Sequence, residues 1–193
     1  MNLQRIRDDA SGFTLVEVMI AAVILIVGLV SLAYCYAMGL SVVSRAQEDS
    51  VARQKAREAM EDVFTARDTS TITFDQICNI AAGTPCIFTA AATPLYTAGP
   101  DEIVNTADDG TGPLFPGCSA NPCVEVVDLP GPDGILGTAD DVLAPLYQYQ
   151  RQITITQVPG NQLLKQVTVT ITYTTSQGQT GQVSINALMS PYV

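Results

Sequence analysis

The sequence has 193 residues, of which 47% are hydrophobic, so it is long and apolar enough to bury the core of one domain. This composition excludes a chain that is disordered throughout. The formal net charge of -10 and the absence of histidine argue against binding to nucleic acid, which requires clustered Lys and Arg side chains.

The N-terminal part of the chain predicts a short leader followed by a membrane-spanning helix. Residues 1–12 are mostly polar and include Arg5 and Arg7, whereas residues 13–40 are almost continuously apolar. About 20 apolar residues span a bilayer, so this run is long enough. It is longer than the apolar part of a secretory signal, and we expect it to be retained. The leader arginines favour a C-terminal part outside the cytoplasm.

The same helix is predicted to continue through an amphipathic half, residues 41–66. Apolar residues recur there at steps of three and four, beside Arg, Lys and Glu residues. All eleven prolines lie at Pro85 or later, so nothing in residues 13–66 forces the helix to stop. The apolar stripe needs a covering surface, for which a sheet from the rest of the chain is the candidate. The stripe consists of Ala52, Ala56, Ala59, Met60 and Val63.

Residues 67–146 are predicted to form an acidic loop region with short strands, one of them at residues 124–127. Between Asp68 and Gln150 the chain has eleven Asp or Glu residues and no Lys or Arg. Gly, Pro, Thr and Asp are frequent here, which is typical of turns. Such acids are either solvated or gathered around a cation.

Four of the five cysteines lie in this acidic region, and we interpret them as disulfide candidates of a periplasm or cell exterior. Each near pair can close a small loop, although four cysteines permit three connectivities. Zinc is the rival interpretation, but the spacings of eight and five residues and the absence of histidine disfavour it. The candidates are Cys78, Cys86, Cys118 and Cys123.

An eleven-residue segment of the acidic region occurs twice, at residues 99–109 and 131–141, with differences at three positions. Calcium takes about six to eight oxygen ligands from turn-rich loops, so the repeats are candidate calcium sites. The spacing is not that of an EF-hand. The alternative is two Asp-capped turns joined by an apolar contact between Ile103 and Ile135. The candidate ligands are Asp101, Asp108, Asp109, Asp133, Asp140 and Asp141.

Residues 147–193 predict a three-stranded antiparallel meander. Three runs alternate apolar residues with Thr, Gln or other polar residues, and Arg151 is the one exception in the first run. One face of the sheet can therefore pack on the amphipathic half of the helix while the other stays in water. The chain is predicted to have an α+β fold, with a long N-terminal helix packed by its C-terminal half on an antiparallel sheet.

The junction between the leader and the apolar helix carries the most specific motif, Gly12-Phe13-Thr14-Leu15-Val16-Glu17. It resembles the processing site of type IV prepilins and of the pseudopilins of type II secretion. The resemblance implies a pilin-like fold, cleavage between Gly12 and Phe13 by a prepilin peptidase, and N-methylation of Phe13. It also implies an inner-membrane assembly platform, which transfers the subunit from lipid into a periplasmic or extracellular filament with other subunits.

Glu17 is the unusual residue of the apolar helix, because a carboxylate at such a position costs about 2–3 kcal/mol even on lenient insertion scales. One interpretation is a side chain that reaches the membrane edge. The resemblance implies a different role, in which Glu17 pairs with the N-terminal amine of a neighbouring subunit during assembly.

The predicted function is that of a structural filament subunit rather than an enzyme, since there is no histidine, phosphate loop or nucleophile elbow. Many principal pilins carry a proline about 22 residues after the cut, where this chain has Ala33-Tyr34-Cys35. That difference favours a minor pilin or a pseudopilin. The alternative function is a single-span membrane anchor whose acidic loops bind calcium, the one cofactor candidate, or a partner without forming filaments.

Overall fold

A computed structural model describes residues 12–192, so the predicted leader lies outside the described residues except for Gly12. Close contacts divide the chain into two units, one up to Ser44 and one from Arg45 onward. Helix α1 (Leu15–Asp68) belongs to both units, and a short 3-10 helix follows at Phe74–Gln76. The six strands are β1 (Thr93–Pro94), β2 (Val126–Leu129), β3 (Val142–Pro145), β4 (Tyr149–Gln157), β5 (Lys165–Thr174) and β6 (Thr180–Met189).

The helix packs on the sheet through the stripe that its sequence predicts. Ala52, Ala56, Ala59, Met60 and Val63 are all buried, and Ala66 extends the stripe by one turn. They share one core with the inward side chains of the sheet, which include Ile153, Val167, Val169 and Ile171. Because alanine has a small side chain, the helix backbone can approach the sheet closely. The predicted α+β fold is therefore confirmed.

Strands β4, β5 and β6 form an antiparallel meander in which side chains alternate between core and solvent. Ile153 of β4 lies opposite Val169 of β5, which lies opposite Ile185 of β6. The Thr and Gln residues between the apolar positions are exposed or half-buried. Gly160 turns the chain between β4 and β5 with a φ of 78°, a left-handed value that suits glycine.

The sheet has four strands rather than the predicted three, because β1 pairs with β4 and gives the order β1-β4-β5-β6. Strand β1 has only two residues, one of them Pro94, so it has no alternation to recognise. Proline is accommodated there because an edge strand leaves one side of the backbone unpaired. A second sheet, of β2 and β3 alone, lies in the acidic region. The strand expected at residues 124–127 begins at Val126 and ends at Leu129.

Polar contacts hold the turn between β5 and β6 against the first turns of α1 in the second unit. The Arg45 guanidinium donates to the Gln177 side chain at 2.8 Å. The Ser176 backbone amide donates to the Glu48 carboxylate at 3.0 Å. The hydroxyl groups of two packed tyrosines, Tyr149 and Tyr173, donate to α1 at the adjacent positions 48 and 49. The sheet thus contacts the helix from Arg45 onward.

Two disulfides close loops in the acidic region. Cys78 bonds to Cys86, with 1.96 Å between the sulfurs, and Cys118 bonds to Cys123, with 1.99 Å. Of the three connectivities that the sequence leaves open, the structure has the one that joins near neighbours. Each bridge constrains a segment that has little regular structure of its own.

Candidate functional site

The residues of the predicted cleavage junction lie just before α1 begins. Gly12 has no other heavy atom near the position of a Cβ, and Phe13 is 81% exposed. Thr14 caps the helix: its hydroxyl accepts the backbone N–H of Glu17 at 3.2 Å, and its carbonyl accepts that of Val18 at 3.2 Å. A cut between Gly12 and Phe13 leaves this cap intact.

The first unit of the described chain consists of the apolar part of α1, and its side chains have no covering partner within that unit. Every large apolar side chain from Phe13 to Val43 is more than half exposed. Burying one such side chain is worth about 1.5–3 kcal/mol. The segment is long and apolar enough to cross a membrane, and Leu15–Asp68 is the one helix of residues 12–192 that meets this test. It needs lipid or protein around it.

Glu17 is the only charged residue between Phe13 and Ser44. It lies in the first turn of α1, where the partial positive charge of the helix N-terminus favours a carboxylate. The next basic residue along the chain is Arg45, about eight helical turns further on. No Lys or Arg of this helix segment is therefore available to pair with Glu17.

The two acidic repeats adopt the same loop conformation. In the first, the Asp101 carboxylate accepts the Ile103 N–H at 2.9 Å, and the Asp109 carboxylate accepts the Asn105 N–H at 2.7 Å. The equivalent bonds of the second repeat, from Ile135 to Asp133 and from Gly137 to Asp141, are 2.8 and 2.6 Å long. The hydroxyl groups of Thr106 and Thr138 donate to the aspartate two residues further on in each repeat, Asp108 and Asp140. The repeat is one loop module used twice.

Each module begins with a glycine because an aspartate near the end of the module lies against its backbone. A Cβ on Gly99 would lie 2.5 Å from Cγ of Asp108, and one on Gly131 would lie 2.3 Å from the carbonyl oxygen of Asp140. Left-handed backbone is also needed at two further positions of each module. Glu102 and Asn105 have φ values of 58° and 68°, and glycine occupies the equivalent positions of the second repeat, Gly134 and Gly137.

The six candidate calcium ligands serve as caps for the backbone of these loops. Within residues 12–192, no three His, Cys, Asp or Glu side chains lie close enough together to hold a metal ion. The threonine hydroxyl groups lower the pKa of Asp108 and of Asp140 by hydrogen bonding to their ionised forms. The arrangement matches the Asp-capped turns, and calcium binding stays a prediction.

The two modules differ in what covers them. Ile103 and Val104 of the first are 3% and 6% exposed and belong to the core, whereas Ile135 and Leu136 of the second are 60% and 61% exposed. The apolar contact expected between Ile103 and Ile135 is therefore wrong. Ile103 packs into the main core together with the rest of the first module, whereas Ile135 of the second module is in solvent.

Arg151 forms the centre of a buried polar cluster that the sequence reasoning missed. It lies in strand β4, on the face that packs on α1, so its charged side chain is only 1% exposed. It forms an ion pair with Glu125 at 2.7 Å and one with Asp109 at 3.5 Å, and it donates to the Tyr96 carbonyl at 3.0 Å. Lys55 of α1 joins the cluster through Glu125 at 3.0 Å. This cluster connects the first acidic module to the sheet and the helix.

Two acids near Arg151 hold their protons more tightly than an exposed carboxyl does. Burial raises the pKa of Asp109, against the opposing effects of the Asn105 amide and of Arg151. Burial also raises the pKa of Asp62 on α1; the charge of Arg151 opposes this rise, and the nearby carboxylates of Glu125 and Glu58 add to it. The only sequence signal for this cluster was the arginine that breaks the alternation of β4.

Comparison with known proteins identifies the N-terminal segment. Residues 7–33 match the family model described as the prokaryotic N-terminal methylation motif. No curated protein and no solved structure matches the chain significantly. The matched segment contains Gly12, Phe13 and Glu17 and runs into the exposed apolar half of α1. The match supports a type IV prepilin-like protein, and the motif together with the long apolar helix fits a structural subunit.

Proposed function

We propose that this protein is a minor pilin or pseudopilin, a structural subunit of a type IV pilus or of a type II secretion-like filament. The observation that carries the proposal is the methylation motif at residues 7–33, which leads directly into a helix whose apolar side chains are exposed. Such a helix is stable in lipid before assembly and among the helices of other subunits afterwards. One segment thus acts as membrane anchor and as filament core.

Processing begins at the bond between Gly12 and Phe13. Glycine has no side chain to obstruct entry of the backbone into the active site of a membrane peptidase, and the bond lies outside the helix. Hydrolysis gives Phe13 a free amine, which stays positively charged after addition of one methyl group. The charged amine lies four residues, or about one helical turn, before Glu17.

Glu17 then determines how subunits fit together. A carboxylate in an apolar membrane helix costs about 2–3 kcal/mol even on lenient insertion scales, and no Lys or Arg lies between Phe13 and Ser44. The methylated amine of a neighbouring subunit supplies the missing positive charge. A slip along the filament axis leaves both charges unpaired in an apolar bundle, so this pair favours a single register.

The second unit is expected outside the cytoplasm. Two disulfides occur in it, and disulfides persist in a periplasm or at the cell exterior. Anchoring in the inner membrane by the apolar half of α1 is consistent with that placement.

The assembly role is tested by replacing Glu17 with Ala in the full chain. We expect the Glu17→Ala subunit to insert in the membrane and to be cleaved, but to be absent from sheared filaments. Glu61→Ala is the matched control, because Glu61 is an exposed acid of the same helix outside the apolar half. Filaments that contain Glu17→Ala at the level of the control would contradict the proposed pairing.

A further inference from the structure

The outer strand of the main sheet, β6, has an unprotected edge. It pairs with β5 over ten consecutive residues, from Thr180 to Met189, without a bulge. In the order β1-β4-β5-β6, no strand of residues 12–192 lies on its other side. Its sequence contains no proline and no charged residue. Edge strands are usually short, charged, bulged or interrupted by proline, because a free edge is a template for another strand. Strand β6 has none of these features.

The opposite edge of the same sheet provides the contrast. It is formed by β1, which has only two residues, one of them Pro94. A strand this short, with a residue that lacks an N–H, offers almost no ladder to a partner. The edge at β1 is therefore closed to a further strand, whereas the edge at β6 is open.

The hairpin between β5 and β6 determines which backbone groups of β6 point outward. Thr174 lies opposite Thr180, and just beyond that pair the Thr175 N–H donates to the Gln179 carbonyl at 2.7 Å. Opposite residues of an antiparallel ladder alternate between hydrogen-bonded and non-hydrogen-bonded pairs, so Thr180 belongs to a non-hydrogen-bonded pair. The N–H and C=O groups of Thr180 and of every second residue up to Leu188 therefore point away from β5. Within the described part of the chain these groups have no hydrogen-bond partner.

The apolar side chains of β6 are also incompletely covered. Its inward-facing Ile185 and Ala187 are half-buried, whereas Val169 and Val167, which lie opposite them on β5, are 0% exposed. The other face of β6 is polar apart from Leu188. A further strand with the same alternation would cover Ile185 and Ala187 and keep its own polar side chains in water.

We propose that the free edge of β6 binds an extended segment of another protein, which adds to the sheet as an antiparallel fifth strand. Outward N–H and C=O groups at alternate residues are matched by an extended backbone, and such main-chain hydrogen bonds give the affinity in strand addition. The half-buried side chains of β6 select a segment in which apolar residues, on the face toward α1, alternate with polar ones.

A second copy of this chain does not offer a matching strand. Its β1 edge is only two residues long. Its β6 can pair antiparallel with this β6 only about a two-fold axis, which makes the α1 helices of the two copies run in opposite directions. Chains anchored by α1 in one membrane run in the same direction. This exclusion rests on the anchoring in the proposed function, whereas the binding site itself does not.

Hydrogen exchange of the full chain in detergent, followed by nuclear magnetic resonance, tests the site with a defined probe. The probe is a synthetic peptide with the sequence of β5, because β5 is the strand that pairs with β6 along its whole length. Residues directly opposite each other lie on one face of a sheet, so the polar residues of the peptide should pair with the outward groups of β6. The probe is therefore N-methylated at its apolar residues Val167, Val169 and Ile171. The control peptide carries its methyl groups on the three threonines that alternate with them.

We expect the probe to slow the exchange of the outward amides, at Thr180 and every second residue up to Leu188, by about tenfold when the free peptide is at about ten times its Kd. The amides between them already bond to β5 and should change little. The control peptide should give no protection. Equal protection by the control peptide, or no protection by the probe at about 1 mM, would overturn the proposal. Protection of the outward amides that rises with protein concentration without peptide would put a second copy at the edge and contradict the proposed occupant.

Two substitutions at one residue provide an independent check. Ser184 has an outward N–H, and its hydroxyl forms a hydrogen bond with that of Thr170 at 3.2 Å. Ser184→Ala and Ser184→Pro both lose this bond, but only proline removes the N–H and places its ring on the edge. We expect the Kd of the probe to rise about tenfold or more for Ser184→Pro and to stay within about twofold for Ser184→Ala. Equal Kd values for two variants with the same melting temperature would contradict strand addition. If Ser184→Pro lowers the melting temperature, the comparison of the two peptides on the original chain decides.

Discussion

Replacing Arg151 with Ala should be the most damaging single change in the second unit. Arg151 is 1% exposed and is the cation for two partly or fully buried carboxylates, those of Glu125 and Asp109. Removing one partner of a buried ion pair costs about 3–5 kcal/mol, because it leaves a buried charge uncompensated. For a domain of this size each kcal/mol lowers the melting temperature by about 2–4 °C, so we expect a decrease of about 6–20 °C.

Thermal unfolding followed by circular dichroism measures this decrease. A chain that begins at Arg45 suits the assay because all buried core residues lie between Ala52 and Met189. The matched control is Arg53→Ala, whose ion pair with Asp49 is on the surface, with the arginine side chain 60% exposed. Surface pairs contribute about 1 kcal/mol or less. Equal decreases for Arg151→Ala and Arg53→Ala would refute the idea that the buried cluster supports the fold.

The pH dependence provides a second check on the same variant. In the folded protein burial raises the pKa of Asp109, and Arg151 opposes that rise. Without the arginine, the pKa of Asp109 in the folded protein rises further above its value in the unfolded chain. The variant therefore loses stability at pH values above the folded pKa, where Asp109 is ionised. This loss disappears as Asp109 becomes protonated. The difference between Arg151→Ala and the original chain should therefore narrow as the pH falls, and a constant difference would contradict this explanation.

Two further predictions concern single residues near the first acidic module. Burial raises the pKa of Asp62, so its ionised form destabilises the fold above that pKa, and the effect is lost well below the unfolded value of about 3.9, where the carboxyl is protonated in both states. Asp62→Asn should therefore raise the melting temperature at pH 7 and leave it unchanged at about pH 2.5, and a decrease at pH 7 would contradict the assignment. Gly99→Ala places a Cβ 2.5 Å from Cγ of Asp108 and should cost about 1–3 kcal/mol, because that module is packed on the core. Gly131→Ala makes the same clash in the exposed module and should change global stability by about 0.5 kcal/mol or less. Equal effects of the two glycine substitutions on the melting temperature would show that the packing of the first module on the core does not determine the cost of the added Cβ.

The long helix and the main strands could be predicted because their signals are local. The alanine-rich stripe of α1 repeats at helical spacing, and the strands from Tyr149 to Met189 alternate apolar and polar residues. These periodicities identify the faces that are buried, and they are enough to predict the α+β fold. The motif around Gly12 and Glu17 is equally local, because it lies within six consecutive residues.

The buried polar cluster could not be predicted because its members are far apart in the sequence. Lys55, Asp109, Glu125 and Arg151 come from a helix, two loop segments and a strand. Their pairing depends on the tertiary packing of the acidic region, which has little periodicity. The two modules illustrate the same limit: Ile103 and Ile135 occupy equivalent positions of segments that differ at three of eleven residues, but they are 3% and 60% exposed.

The central claim is that this chain is a processed filament subunit, and N-terminal mass spectrometry of the protein from membranes and sheared filaments tests it most directly. The claim predicts a mature chain that begins at Phe13 and carries one methyl group on its amine. A chain recovered from both fractions with an intact Met1 start would contradict it.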